Sequence, residues 1–335
     1  MLTAIFEFVL LASVIIVAGT VLTRCADAFA EITGFGRLLV GSILLAGATS
    51  LPELTVDLSA IRLDLPNLAV GDLIGSSLMN LLILAVMDLT HHGRGKMLSR
   101  AAAAHALGGT LGIALTALVG IGILIAPRWP NATLFGVHAA VWCLALGYAL
   151  GVRSVFLDQR VAARTAVDTG AVSEAAPRHR RLGYYIAGFA AAAAVIFFIG
   201  PRMAETAGRI AEMSGLGSSF VGTTFVAFST SLPELVASVT AVRLGAFDLV
   251  IGNVFGSNAF NMVLFVPLDF VYPGTLFAVA NSAHVISVLA VIVCTSVVIM
   301  GQLYLPDSRT RFIEPDAWLV ITLIVGALTL VYAAA

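Results

Sequence analysis

Residues Ala46 to Asn80 of this chain match Ala227 to Asn261 at a constant offset of 181 positions, without a gap. Fifteen of those 35 positions are identical, including both ends of the hexapeptide TSLPEL, which runs from Thr49 to Leu54 and again from Thr230 to Leu235. A match of this length means that one structural unit was used twice, and repeats are the feature that most restricts architecture. The copies lie in a chain that is 59% hydrophobic and 11% charged, with a mean hydropathy of +1.01. Those values lie outside the range of water-soluble domains and describe an all-α polytopic membrane protein.

A bilayer core of about 30 Å needs roughly 20 apolar residues per helix. Runs of that kind fall near 2–23, 37–62, 68–90, 103–126, 132–152, 182–200, 218–243, 248–270, 278–303 and 316–334. Ten spans divide into five before the polar stretch at about 154–181 and five after it. Residues 1–153 then form a first five-helix repeat with its motif at 41–85, and 182–335 a second with its motif at 222–266, joined by a cytoplasmic linker. An odd number of spans per unit makes the second enter the membrane upside down relative to the first, and inverted repeats characterise secondary transporters. The first run is read as a true helix rather than a signal peptide, because it carries Glu7 where a basic segment would stand.

Orientation follows from the basic residues. With the N-terminus outside, fourteen of the eighteen Lys and Arg fall on cytoplasmic loops, and only Arg62, Arg128, Arg202 and Arg209 on the other side. Both termini are therefore expected outside the plasma, or cell inner, membrane. A net charge of −1 with scattered basic residues gives no face for nucleic acid. Cys25, Cys143 and Cys294 have no metal-ligand spacing and are expected as buried thiols. His91 and His92 read as a solvated loop, and His105, His138 and His284 as hydrogen-bonded core histidines. The expected partners are the lipid bilayer and inorganic cations, with no resident cofactor and a monomeric chain.

Within the repeated motif, proline removes an N–H from its helix and crowds the carbonyl four residues earlier. Pro52 should loosen the turn at Ala46 to Thr49, and Pro233 the turn at Ala227 to Thr230, leaving carbonyls as hard oxygen ligands. Irregular backbone at membrane depth is tolerated only where it faces protein or a watery cavity. Ala46, Thr49, Ser50 and Glu53 share one helix face, and Ala227, Thr230, Ser231 and Glu234 repeat it. On the helices that follow, Ser76 with Asn80 and Ser257 with Asn261 add a hydroxyl and an amide four residues apart. A carboxylate at the bilayer centre costs about 2.5–3.5 kcal/mol on insertion scales, and no Lys or Arg lies at that depth. Glu53 and Glu234 therefore call for a cation or a proton. An all-oxygen set with two carboxylates suits Ca²⁺, and Na⁺ accepts the same oxygens; the His and Cys favoured by softer metals are missing from it.

The pair GSILLAGATSLPEL and GDLIGSSLMN, repeated as GTTFVAFSTSLPEL and GNVFGSNAFN, resembles the two alpha-repeats of sodium/calcium exchangers in the cation/calcium exchanger superfamily, in their ten-helix prokaryotic form. The resemblance implies four cation sites between the second, third, seventh and eighth helices, worked by alternating access. Its ligands map to Ala46, Thr49, Ser50, Glu53, Ser76 and Asn80, and to Ala227, Thr230, Ser231, Glu234, Ser257 and Asn261. Ala48 and Ser229 stand where the family has glycine, Asp72 where Gly-Asn is usual, and Asn261 where potassium-dependent relatives carry aspartate. The implied activity is Ca²⁺/Na⁺ antiport, with Ca²⁺/H⁺ antiport as the alternative. A channel and an intramembrane serine hydrolase using Ser76 or Ser257 are further readings; the hydrolase leaves the duplication of every polar group unexplained. Asp57 and Asp72, whose mates are the neutral Ser238 and Asn253, are candidates for an acidic outer vestibule.

Overall fold

The computed structural model describes residues 1–90, 102–168, 182–214, 227–303 and 315–334. Helix α1 spans Leu2–Thr33, α2 Arg37–Arg62, α3 Pro66–Thr90, α4 Ala102–Ile125 and α5 Ala139–Asp168. They are followed by α6 at Leu182–Met213, α7 at Leu232–Arg243, α8 at Phe247–Val271, α9 at His284–Leu303 and α10 at Pro315–Ala334. Eight of these have the length and apolarity to cross a bilayer, and α10 contains a shorter apolar stretch, Ala317–Leu330. The expected seventh span is seen only from Ala227, where a helical turn to Thr230 precedes α7. Its beginning lies outside the described residues, as do His91 and His92.

Several boundaries move. The fifth helix starts at Ala139 rather than near 132, because Thr133–Leu134 pairs antiparallel with Val137–His138. Phe135 and Gly136, with φ of 53° and 80°, make the tight turn that joins them. The same helix continues to Asp168 instead of ending near 152, so the first part of the stretch assigned to the linker, 154–168, is helical; no Gly or Pro interrupts it there. Helix α6 likewise runs on past 200 and through Pro201. Cys25 and Cys294 are buried as expected, but Cys143 is exposed on the outer surface of α5, where a bilayer would face an apolar thiol at little cost.

Helix α8 forms the centre, with 83% of its apolar window buried, against 11% for α6. Small residues let α2 approach it closely: a methyl group at Gly256 would collide with the Ser42 backbone, carbonyl oxygen included. At that contact α2 contains a π-helical turn, Gly41–Leu45. Helices α1 and α6 pack on each other at the periphery, tied by an Arg209–Glu7 ion pair of 2.7 Å. Each also leans on a hairpin of the other half. A Cβ at Gly200 of α6 would lie 2.5 Å from Pro52 Cβ, and one at Gly19 of α1, 181 residues earlier, 2.9 Å from Val236 Cγ1.

A further repeated pair, missed in the sequence because it lies beyond the gapless match, is Asp88 and Asp269, both buried. Asp269 accepts the backbone N–H of His138 and that of Leu276, each at 2.7 Å. It thus pins the α4–α5 hairpin and the α8–α9 connection to the end of α8.

Gly256→Ala should lower thermal stability in detergent by about 1–3 kcal/mol, the usual penalty of overpacking. Asp269→Ala should cost more, about 2–6 kcal/mol, since two buried N–H groups lose their acceptor at about 1–3 kcal/mol each. Fluorescence-detected melting of the purified variants checks both; an unchanged melting temperature contradicts the packing or capping role assigned.

Candidate functional site

Two helix interruptions build the site. Helix α2 is broken at Ser50, with φ −86° and ψ 11°, and the chain leading into α7 is broken in the same way at Ser231, with φ −81° and ψ 6°. Leu51 and Leu232 each start a new helix with proline in its first turn. There the missing N–H of proline has no helical partner to lose and its fixed φ suits the helix. Ser-x-x-Glu at such a start is the sequence pattern of a capping box. The serine is not used that way: Ser50 Oγ donates to Glu234 Oε1 of the other half at 3.2 Å. Glu53 and Glu234 occupy the first turns of their helices, where the positive end of the helix dipole favours a carboxylate.

The expectation of loosened carbonyls needs correction. Ala46 O accepts the Ser50 N–H at 3.0 Å and lies 3.2 Å from Thr49 Oγ1. Ala227 O accepts the Ser231 N–H at 3.1 Å and the Thr230 hydroxyl at 2.9 Å. Ala46 and Ala227 thus keep their backbone bonds, and a cation would reach their second lone pairs only by displacing a threonine hydroxyl.

The two halves meet through these residues. Thr49 Oγ1 lies 3.3 Å from Asn253 Oδ1 and 3.5 Å from Ser257 Oγ. Asn80 Nδ2 donates to Asn258 Oδ1 at 3.1 Å, and Asn258 Nδ2 donates to the Ser77 carbonyl at 3.2 Å. Thr49, Ser50, Glu53, Ser76, Asn80, Thr230, Ser231, Glu234, Ser257 and Asn261 are all buried, as is Ala46, while Ala227 is half-buried. Asn253 and Asn258 were not among the sequence-derived ligands. The signal for Asn258 was present, since an amide inside an apolar helix needs a partner, but its mate in the first repeat is Ser77, so the repeat comparison passed over it.

Hydrogen bonds leave part of this polar set unspent. Glu53 Oε2, Glu234 Oε2, Ser76 Oγ, Ser231 Oγ, Asn80 Oδ1 and both amide atoms of Asn261 are buried with no hydrogen-bond partner among the described residues. Arg62 and Arg243 are exposed at the ends of their helices, away from the breaks. Among the described residues no three His, Cys, Asp or Glu side chains converge as a metal cluster. A cation here would need hydroxyls and amides beside the two carboxylates, which suits a hard ion. Ser76 has no hydrogen-bond partner and Ser257 has only Thr49, so no histidine activates either as a nucleophile among the described residues. His105 Nε2 pairs with Asp248 Oδ1 at 3.0 Å, and His138 Nε2 lies 3.1 Å from the Trp129 carbonyl; His284 Nε2 lacks the bond expected of it. Asp57 and Asp72 are buried, so in this conformation they do not line an open mouth.

The chain resembles several known membrane proteins. The chain is 27% identical over 257 residues to the inner membrane protein YrbG of Escherichia coli, covering 74% of each. It is 48% identical over 59 residues to the sodium/calcium exchanger MaX1 of Methanosarcina acetivorans, 18% of this chain and 17% of that one. Its fold superposes on the sodium-calcium exchanger NCX_Mj with a TM-score of 0.69, covering 98% of this chain and 99% of the other at 17% identity. A family model described as sodium/calcium exchanger protein matches residues 3–100 and 184–334, and with well over half of its length so matched the chain belongs to the sodium/calcium exchanger protein family.

Proposed function

We propose that the protein is a secondary antiporter exchanging Ca²⁺ for Na⁺ across the cell inner membrane, built as ten spans in two inverted five-helix repeats with both termini outside. The observation that carries this reading is the pair of helix breaks at Ser50 and Ser231. Each starts a helix with a buried glutamate, and each glutamate keeps an oxygen that nothing in the described residues satisfies. The twelve ligand positions named from the sequence would be shared among the clustered cation sites: the Ala46 and Ala227 carbonyls, the hydroxyls of Thr49, Ser50, Ser76, Thr230, Ser231 and Ser257, the amides of Asn80 and Asn261, and Glu53 and Glu234. Two carboxylates neutralise one Ca²⁺. The same oxygens divide among Na⁺ ions, so occupancy by either satisfies the buried charge and an empty site does not. That difference couples the two fluxes, because crossing with an uncompensated carboxylate pair is the expensive step.

With the N-terminus outside, the first halves of α2 and α8 lie on the cytoplasmic side. The close contact at Ser42 and Gly256 then closes the cytoplasmic approach in this conformation, and separating those backbones would open it. The peripheral pair α1 and α6, which touches Pro52 and Val236 through glycines, is placed to move against the central hairpins as access alternates. The local likeness to the sodium/calcium exchanger MaX1, 48% identical over 59 residues, supports sodium as the counter-ion. Ca²⁺/H⁺ exchange is the second reading, since a proton also satisfies a buried glutamate.

In proteoliposomes loaded with Ca²⁺, an imposed Na⁺ gradient should drive Ca²⁺ efflux; efflux driven by a pH gradient alone selects the second reading. Glu53→Gln and Glu234→Gln should each reduce exchange by roughly a hundred- to a few thousandfold, given about 3–5 kcal/mol for removing one partner of a buried charge pair. Retention of near-normal exchange by both variants, at equal protein per vesicle, would refute the role of the glutamate pair.

A further inference from the structure

An asparagine amide has one end that can ligate a cation, its oxygen, and one that repels it, its NH₂ group. Which end is available depends on what the other end is bonded to. Asn80 of α3 and Asn258 and Asn261 of α8 are all buried, with exposures of 1%, 3% and 0%, so water does not decide the matter for any of them.

The first two are oriented by a chain of bonds that starts at a backbone atom. The Ser77 carbonyl can only accept, so the end of Asn258 that lies 3.2 Å from it is the NH₂ group. Asn258 Oδ1 is thereby turned the other way, where it accepts from Asn80 Nδ2 at 3.1 Å. Reversing the Asn80 amide would set its oxygen against the oxygen of Asn258 in a buried, poorly screened place. Asn80 therefore commits its NH₂ group to α8 and keeps its oxygen back. Asn80 Oδ1 is buried with no hydrogen-bond partner among the described residues. A carbonyl in a helix cannot flip, so the orientation passed through the two amides is fixed before any ion arrives.

Asn261, the mate of Asn80, has no such device. The mate of Asn258 is Ser77, whose hydroxyl donates to the Leu73 carbonyl of its own helix at 3.0 Å. Both amide atoms of Asn261 lack a hydrogen-bond partner among the described residues, so nothing there selects the oxygen over the NH₂ group. The two halves thus carry the same ligand type at corresponding places, one held in a single orientation and the other not.

We infer that Asn258 is a positioning residue for cation binding: it holds the Asn80 amide so that the oxygen is free to ligate, whereas Asn261 is turned to its ligating orientation only by the ion. The inference rests on the exchange reading of the site and deepens it. Without Asn258 the Asn80 amide can present its NH₂ group to the ion, so the loss falls on cation affinity and acts wholly through Asn80.

Equilibrium binding of radioactive Ca²⁺ to the full-length protein in nanodiscs, with the melting temperature of each variant measured alongside, tests this. Asn258→Ser gives α8 the residue found at the corresponding place in α3 and should weaken Ca²⁺ binding about 10–100-fold, the usual result of removing a group that orients a metal ligand. Asn258→Leu, of similar bulk without polar atoms, should do the same. In the Asn80→Ala background Asn258→Ser should weaken binding no further, because no amide remains to be oriented. In the Asn80→Asp background it should also cost nothing, since a carboxylate presents an oxygen in either orientation. Losses that add in full to that of Asn80→Ala mark a merely structural contact and overturn the inference, as does a loss that persists with Asn80→Asp. Unchanged affinity in both single variants overturns it too, and a loss confined to Asn258→Ser is a packing effect that does the same. Each of these results leaves a wild-type chain that binds Ca²⁺, and with it the exchange reading. A wild-type chain that binds no Ca²⁺ removes both.

Discussion

A helix inside a bilayer cannot be interrupted without finding new partners for its backbone, because no water is there to supply them. The chain meets that requirement twice in the same way. At Ser50 and Ser231 one helical segment ends and the next begins within the span, the Ala46 and Ala227 carbonyls keep an N–H partner, and proline occupies a position where its missing donor has no bond to lose. The interruption brings a helix N-terminus, a hydroxyl-rich turn and a glutamate to one depth. Almost every other feature of the central hairpins follows from having to surround those two points with polar groups while keeping lipid away from them.

That surrounding determines how the helices pack. Helix α8 is buried on nearly all sides, and its side chains reach the first half of the chain through Asn253, Ser257 and Asn258. Small residues permit the approach, with Gly256 against the Ser42 backbone and the π-helical turn Gly41–Leu45 on the facing helix. A π-turn widens the helix locally and is frequent at functional sites. Peripheral α1 and α6 approach this centre closely at Gly19, against Val236, and at Gly200, against Pro52, in the segments that follow the breaks, where small residues let helices come close.

The two halves share a fold plan but not a charge plan. Fifteen identities hold the breaks, the glutamates and the Ser/Asn stripes in common, while Asp57 and Asp72 have the neutral mates Ser238 and Asn253. In the inverted arrangement proposed above, corresponding residues would lie on opposite sides of the membrane, so a departure from the repeat would also be a difference between the two approaches to the site. Asp57 and Asp72 are the largest such departure, and their burial makes them part of the polar interior and not a solvated rim.

Read alone, the sequence determined the class of solvent, the duplication and which helix faces carry the glutamates, hydroxyls and amides, because hydropathy, a fixed offset and the i, i+4 stripes are properties of the linear chain. Tertiary structure alone decided which half satisfies which. That Ser50 turns from its own helix to Glu234, that Asn258 bridges Asn80 and the Ser77 carbonyl, and that Ala46 and Ala227 retain their backbone bonds depend on how two helix pairs cross. The helical run through 168 and the hairpin before Ala139 escaped a hydropathy scan because helix continuity there is set by backbone propensity and turn geometry, not by apolarity. A hydrogen bond between residues some 180 positions apart leaves no mark in either local stretch, since each side chain is equally compatible with bonding to its own turn until the partner arrives.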